Sequence, residues 1–159
     1  MALRDKLTGL YNRHYLEETS TKMFANAKRH RENMSIIMCD IDNFKTLNDT
    51  HGHLIGDKIL QKTGAILLKK RRSEDFVARY GGEEFIFVLW KCNEKFAQEK
   101  AEKIRLSLSK IDIEGVRITA SFGVAQLNKQ HTNFDALVQD ADTALYRAKD
   151  TGRNKTIVF

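Results

Sequence analysis

Proline is absent from the 159 residues, cysteine occurs only twice and tryptophan once. With no proline, no internal repeat and no low-complexity stretch, nothing resembles a linker between domains. The chain therefore reads as one domain over residues 1–159, long enough to bury a core without disulfides or a structural metal. Long hydrophobic runs are missing too: the longest, such as Phe85 to Trp90, fall far short of the roughly 20 residues that span a bilayer. Neither a membrane span nor a secretory signal is expected. Cys39 and Cys92 sit inside apolar runs without metal-ligand spacing, so they read as small buried hydrophobes, a usage suited to a reducing, cytoplasmic compartment.

What is present is a chain 42% apolar and 30% charged, with 27 Lys and Arg against 21 Asp and Glu, a net charge of +6. That profile belongs to a folded globular domain and not to a disordered one. The positive excess fits nucleic acid, an anionic membrane surface or a polyphosphate ligand, and composition does not choose among them. The densest cluster, Lys69-Lys70-Arg71-Arg72, ends an expected helix, where cations complement the dipole. RNA-binding aromatic motifs and zinc-finger spacings are absent, so no nucleic-acid partner and no membrane contact is expected from this segment.

Hydrophobic periodicity places the elements. Asn12 caps a helix running to about Arg31, with Leu16, Met23, Phe24 and Ala27 on one face. Ser35 to Ile41 reads as a buried strand, and Asp42 as the cap of a short helix through Leu47. Thr50 to Gly56 is turn-like, and Asp57 to Lys70 is an amphipathic crossover helix with Ile59, Leu60, Ile66 and Leu67 inward. Phe76 to Tyr80 and Phe85 to Trp90 are apolar runs split by Gly81-Gly82, a hairpin signal because paired glycines accept the positive φ of a tight turn. A helix over Glu94 to Lys110, a strand over Val116 to Ala125, a helix over Asn133 to Asp150 closed by Gly152, and a strand over Lys155 to Phe159 complete the order. The class that follows is α+β, a central, mainly antiparallel sheet flanked by helices.

If the central part follows the split βαβ, ferredoxin-like pattern, the first strand lies antiparallel beside the second hairpin strand. Asp40 then faces Glu83 and Glu84 although the two stretches are far apart in sequence. Three carboxylates gathered on one edge repel and lose hydration, so a hard divalent cation is their natural partner. Magnesium takes one or two carboxylates plus substrate phosphates, a demand Asp40 and Glu83 can meet. The plainer reading has Asp40 and Asp42 capping the next helix and Glu83 and Glu84 as solvated turn residues.

Five stretches occur in order: Asp5-Lys6-Leu7-Thr8-Gly9-Leu10-Tyr11-Asn12-Arg13; Asp40-Ile41-Asp42-Asn43-Phe44-Lys45; Asn48-Asp49 through Gly52-His53 to Gly56-Asp57; Arg79-Tyr80-Gly81-Gly82-Glu83-Glu84-Phe85; and Ala148-Lys149 with Gly152-Arg153-Asn154. Together they resemble the GGDEF family, the bacterial diguanylate cyclase catalytic domains, in a Gly-Gly-Glu-Glu-Phe variant. The resemblance implies a sheet-centred fold related to the palm of polymerases and nucleotidyl cyclases. It also implies an enzyme that condenses two GTP into cyclic di-GMP, a second messenger, and two pyrophosphates.

Roles follow from the resemblance position by position. Asp40, the carbonyl of Ile41 and Glu83 would hold Mg2+, two ions per site, with Mn2+ as a substitute. Glu83 or Glu84 would assist deprotonation of the ribose 3′ hydroxyl, and the sequence does not divide that role. Asn48 and Asp57 correspond to the guanine readers, Asp accepting from N1 and N2 of the base. Lys45, Lys149 and Arg153 would contact the triphosphate, with backbone amides of Asn43 and Phe44 at the helix start adding donors. His51 and His53 read as loop-packing residues, with His53 near the nucleotide. Asp5 and Arg13 read as a pair fixing the first turn, and residues 1–4 as the remnant of a linker from an upstream regulator.

Arg72 and Asp75 match the family's inhibitory Arg-x-x-Asp site, where product would bind, the arginine forking to phosphate or guanine and the aspartate accepting from the base. Lys100, Lys103 and Arg105 are candidates for an added cation. The family works as a symmetric homodimer in which each subunit holds one GTP. The alternatives are a silent module that binds cyclic di-GMP or GTP, which the intact Asp40, Glu83 and Glu84 disfavour, and an intramolecular cyclase or polymerase-like enzyme.

Overall fold

The computed structural model describes residues 2–159; Met1, part of the expected linker remnant, lies outside the described residues. Helix α1 (Arg13–His30) begins where the Asn12 side chain accepts from the Tyr15 amide at 2.9 Å, and ends at Arg31 in the left-handed region. Strand β1 (Met34–Ile41) is buried along its whole length, as a strand covered on both faces must be.

Helices α2 (Phe44–His51) and α3 (His53–Lys70) follow, separated by Gly52 alone. The turn expected over Thr50 to Gly56 thus shrinks to one residue, because a glycine at φ 89° is enough to redirect the chain. Strands β2 (Phe76–Arg79) and β3 (Glu84–Trp90) form the hairpin. Helix α4 (Glu94–Leu108) is capped by Asn93, which accepts from the Phe96 amide at 3.0 Å.

The strand expected over Val116 to Ala125 is in fact divided. Strand β5 (Val116–Arg117) leaves the main sheet to pair with β4 (Asp112–Ile113) around Glu114 and Gly115, both at positive φ, and β6 (Ala120–Gln126) carries on alone. Helix α5 (Phe134–Asp150), capped by Asn133, and strand β7 (Thr156–Val158) close the chain.

The five-stranded sheet has the order β2-β3-β1-β6-β7, antiparallel throughout except for the parallel pair β6 and β7. The first four strands have the ferredoxin-like order, and the α+β class matches the expectation. Alternation along β1 and β3 sends Ile37, Cys39, Phe85 and Phe87 to the face covered by α3 and α4, and Ile36, Met38, Ile86 and Val88 to the face covered by α1 and α5. Burying each of Phe85, Phe87 and Phe122 completely contributes about 1.5–3 kcal/mol. Register is consequently fixed, since a slip of one residue would turn these rings to the wrong face. The same register sets Asp40 opposite Glu84 at one end of the sheet.

Candidate active site

Asp40 is the penultimate residue of β1, and its side chain is 8% exposed. Beyond it, the Ile41 amide donates to the carbonyl of Glu83 at 3.2 Å, which locks the strand end to the hairpin. From the last turn of α5, Lys149 places its Nζ 2.5 Å from Asp40 Oδ2. Burial pushes the Asp40 carboxyl up to about 6; Lys149 opposes the rise, and Glu83 and Glu84 add to it. Glu84 is raised as well, first by burial, with Lys149 opposing and Asp142 and Glu83 reinforcing.

The hairpin turn is held by Arg79. Its guanidinium donates to the carbonyls of Gly81 at 3.2 Å and Gly82 at 2.7 Å, and to both carboxylate oxygens of Asp5 at 3.2 Å. Asp5 therefore pairs with Arg79 and not with Arg13, which instead bonds Glu17 and the Tyr80 hydroxyl. Gly81 and Gly82 do not take the positive φ expected of a glycine pair. A Cβ built on Gly82 would meet no protein atom within 4 Å, so nothing inside the fold requires glycine there.

Asp42 does not cap α2. The position before the helix is held by Asn43 at φ 54°, without a side-chain cap. The buried Asp42 carboxylate instead accepts from Ser121 Oγ at 2.6 Å, Thr119 Oγ1 at 2.7 Å and the Asn154 amide at 3.0 Å. It joins the end of β1 to β6 and to the turn after α5. No single-sequence signal marks these partners, which come from distant stretches; the same is true of Arg79 and Asp5.

The remaining expected contacts surround this edge. Asn43, Phe44 and Lys45 open α2, with Phe44 buried and Lys45 exposed. Asn48 lies on the last turn of α2; its Oδ1 is buried without a hydrogen-bond partner. His53 begins α3 and Asp57 follows one turn later, both exposed. His51 and His53 stand in solvent on either side of Gly52 and do not pack a loop. Arg153, at φ 64°, is exposed in the turn that Asp42 anchors.

Among the described residues no three His, Cys, Asp or Glu side chains gather closely enough to hold a metal unaided. The donors nonetheless fit a hard cation. Asp40, Glu83 and Glu84 offer carboxylate oxygens at one strand edge, and the Lys149 ammonium already stands beside Asp40 as a substitute positive charge. No helix among the described residues is long and apolar enough to cross a membrane.

On the far side of the molecule, Arg72 and Asp75 meet in the turn before β2. Asp75 Oδ1 accepts from Arg72 Nε at 3.0 Å and from its terminal nitrogen at 2.8 Å, and Oδ2 accepts from the Arg72 amide. The Asp75 side chain has no exposure at all, whereas that of Arg72 is 42% exposed. Asp75 thus holds the arginine, and the guanidinium is what faces outward. A cleft of about 500 Å³ beside it is lined by Lys70, Lys91, Phe96, Lys100 and Lys103. Arg105 is engaged elsewhere, with Glu102 and Asn154.

Known proteins are similar to this chain in sequence and fold. The family model described as diguanylate cyclase, GGDEF domain, matches residues 2–155. Diguanylate cyclase DosC of Escherichia coli K12 is 40% identical over 156 residues, covering 95% of this chain and 34% of DosC. The chain thus spans about a third of that relative's length. The GGDEF domain of DgcB from Caulobacter crescentus, solved in complex with c-di-GMP, superposes with a TM-score of 0.94 at 29% identity, covering 99% of this chain and 96% of that one. The active GGEEF domain of a diguanylate cyclase from Vibrio cholerae superposes with a TM-score of 0.89 at 35% identity, covering 93% of this chain and 96% of that one. Diguanylate cyclases of this kind need a divalent cation. With a family model matched over nearly its whole length and a curated relative at 40% identity, the chain belongs to the GGDEF family of diguanylate cyclase domains.

Proposed function

We propose that the chain is a single catalytic domain that condenses two GTP into cyclic di-GMP and two pyrophosphates, at the interface of a two-fold homodimer. The observation that carries this reading is the convergence of Asp40, Glu83 and Glu84 at one sheet edge beneath Lys149. All three acids of the signature are intact, which favours an active enzyme over a silent binding module.

Asp40, the Ile41 carbonyl and Glu83 would hold Mg2+, two ions per site, with Mn2+ as a substitute. When bound, the cation supplies positive charge that the triphosphate and the carboxylates share. The chain's own groups do the rest. Lys45, Lys149 and Arg153 hold the phosphates, with the amides at the start of α2, Asn43 and Phe44, directed at them. Lys149 exchanges its carboxylate partner for phosphate when substrate enters. Asn48 and Asp57 read the guanine edge, and His53 borders the nucleotide. A site built on such bonds discriminates strongly against a base that leaves them unpaired, by up to ~10⁴-fold.

Each 3′ hydroxyl loses its proton to Glu83 or Glu84 and attacks the α-phosphorus of the GTP on the facing subunit. A new phosphodiester bond forms as the α–β bridge breaks and pyrophosphate leaves. A carboxylate whose proton affinity is raised by burial, as at Glu84, is a better base than a solvated one. Gly82 leaves open space at the hairpin where a nucleotide can approach the backbone. Arg72, steadied by Asp75, would receive cyclic di-GMP as a feedback inhibitor. The reading is tested by pyrophosphate release with magnesium: GTP should support it and ATP should not, and Glu83→Gln should abolish it. Equal turnover of ATP, or an unaffected glutamine variant, would refute the proposed site.

A further inference from the structure

Gly56 lies inside α3, and its φ is not positive, so the backbone does not call for glycine there; alanine would favour the helix more. The requirement comes from the neighbouring helix. A Cβ on Gly56 would stand 1.8 Å from Asn48 Oδ1, 2.9 Å from Asn48 Cγ and 3.2 Å from the ring of Phe44. The first two separations cannot be tolerated, and what would have to move is the amide of Asn48.

The oxygen end of that amide is held by packing. Its Oδ1 is buried and accepts no hydrogen bond, so no polar partner holds that oxygen in place. Phe44, one turn earlier on α2, walls the same pocket. The residue after Gly56 is Asp57, so one stretch of α3 carries both the seat for Asn48 and the second base contact.

We propose that Gly56 is a positioning residue for guanine recognition, its bare α-carbon being the seat that holds the Asn48 amide in its base-reading pose. The proposal rests on the reading of Asn48 as a guanine contact given above. With one end of the amide packed against Gly56, the other end is presented to the base at a set distance from Asp57. A methyl group at position 56 pushes the amide outward and breaks that alignment.

The test is a double-mutant cycle read in KM and kcat for GTP. Gly56→Ala should raise KM roughly three- to tenfold, the loss of one hydrogen bond, with kcat changed less than about twofold. Asn48→Ala should raise KM by a similar factor. Because it removes Asn48 Oδ1 and Cγ, the two closest atoms, adding Gly56→Ala to Asn48→Ala should cost nothing further in KM, any added loss in melting temperature reporting only the Phe44 ring at 3.2 Å, whereas a general packing role would raise KM in both backgrounds. An unchanged KM in Gly56→Ala beside a raised one in Asn48→Ala overturns the inference and leaves the Asn48 reading standing. An unchanged KM in Asn48→Ala overturns that reading and the inference with it. If Gly56→Ala alone does not fold, the comparison of the double variant with Asn48→Ala decides: equal KM values support the seat, and different ones refute it.

Discussion

Lys149 and Asp40, 109 residues apart in the chain, meet at 2.5 Å between Nζ and Oδ2. One comes from the last turn of α5 and the other from the end of β1, so the contact exists only because α5 packs across the sheet. It leaves a carboxylate that is buried, flanked by two more acids, and matched by one ammonium.

A stability consequence follows for Asp40. Its folded value of about 6 lies above the ordinary 3.8, so across that window the folded protein keeps a proton that the unfolded chain has lost. Stability therefore falls as pH rises from about 4 to 6, and above that the ionised group opposes folding. Without divalent metal, Asp40→Asn should raise the melting temperature by a few degrees at pH 8, about 1–2 kcal/mol, and make little difference at pH 4. Magnesium with a GTP analogue should narrow the gap by stabilising the wild type more. Thermal unfolding at the two pH values is the check, and a variant less stable at pH 8 would contradict the account of Asp40.

Gly82 separates folding from function. Its Cβ position is empty and its φ is ordinary, so Gly82→Ala should change stability by less than ~0.5 kcal/mol. If the nucleotide approaches the backbone there, turnover should drop on the order of tenfold or more. Melting temperature and kcat measured on the same preparation settle it; intact activity would mean that nothing approaches this turn.

Arg79 grips Asp5 and two hairpin carbonyls at once. Arg79→Lys should not restore what Arg79→Ala loses, since a single ammonium lacks the fork that spans these acceptors. Both variants should lose kcat on the order of tenfold with KM changed little, through a displaced Glu83 and Glu84. A lysine variant with wild-type kinetics would show that charge alone is sufficient.

At the second site, Arg72→Ala should retain basal turnover and relieve inhibition by cyclic di-GMP. Asp75→Ala should relieve it as well, but at a cost of about 1–3 kcal/mol in stability, because the buried carboxylate carries Arg72 and faces Lys100 at 3.4 Å. Inhibition curves and denaturant melts of the two variants provide the comparison. Inhibition unchanged in Arg72→Ala would refute the site.

The elements were legible where periodicity is strong: β1, α1, the hairpin and α5 stand within a few residues of their expected places, and the side-chain cap expected at Asn12 forms. The two misplacements, at Gly52 and around Gly115, occur where positive-φ residues, Gly52 alone in the first case and Glu114 with Gly115 in the second, replace a longer turn or divert a strand. Asp40 opposite Glu84 could be anticipated from topology. Asp42 with Ser121, Thr119 and Asn154, and Asp5 with Arg79, could not. Those contacts join residues with no shared local pattern, and only the assembled sheet brings them together.

The most direct measurement is the mass of the product formed from GTP and magnesium over a range of protein concentrations. The expected result is cyclic di-GMP, with a rate per subunit that climbs as concentration rises, because two copies must face each other. A cyclic mononucleotide, or no cyclic dinucleotide at the highest concentration, would contradict the assignment.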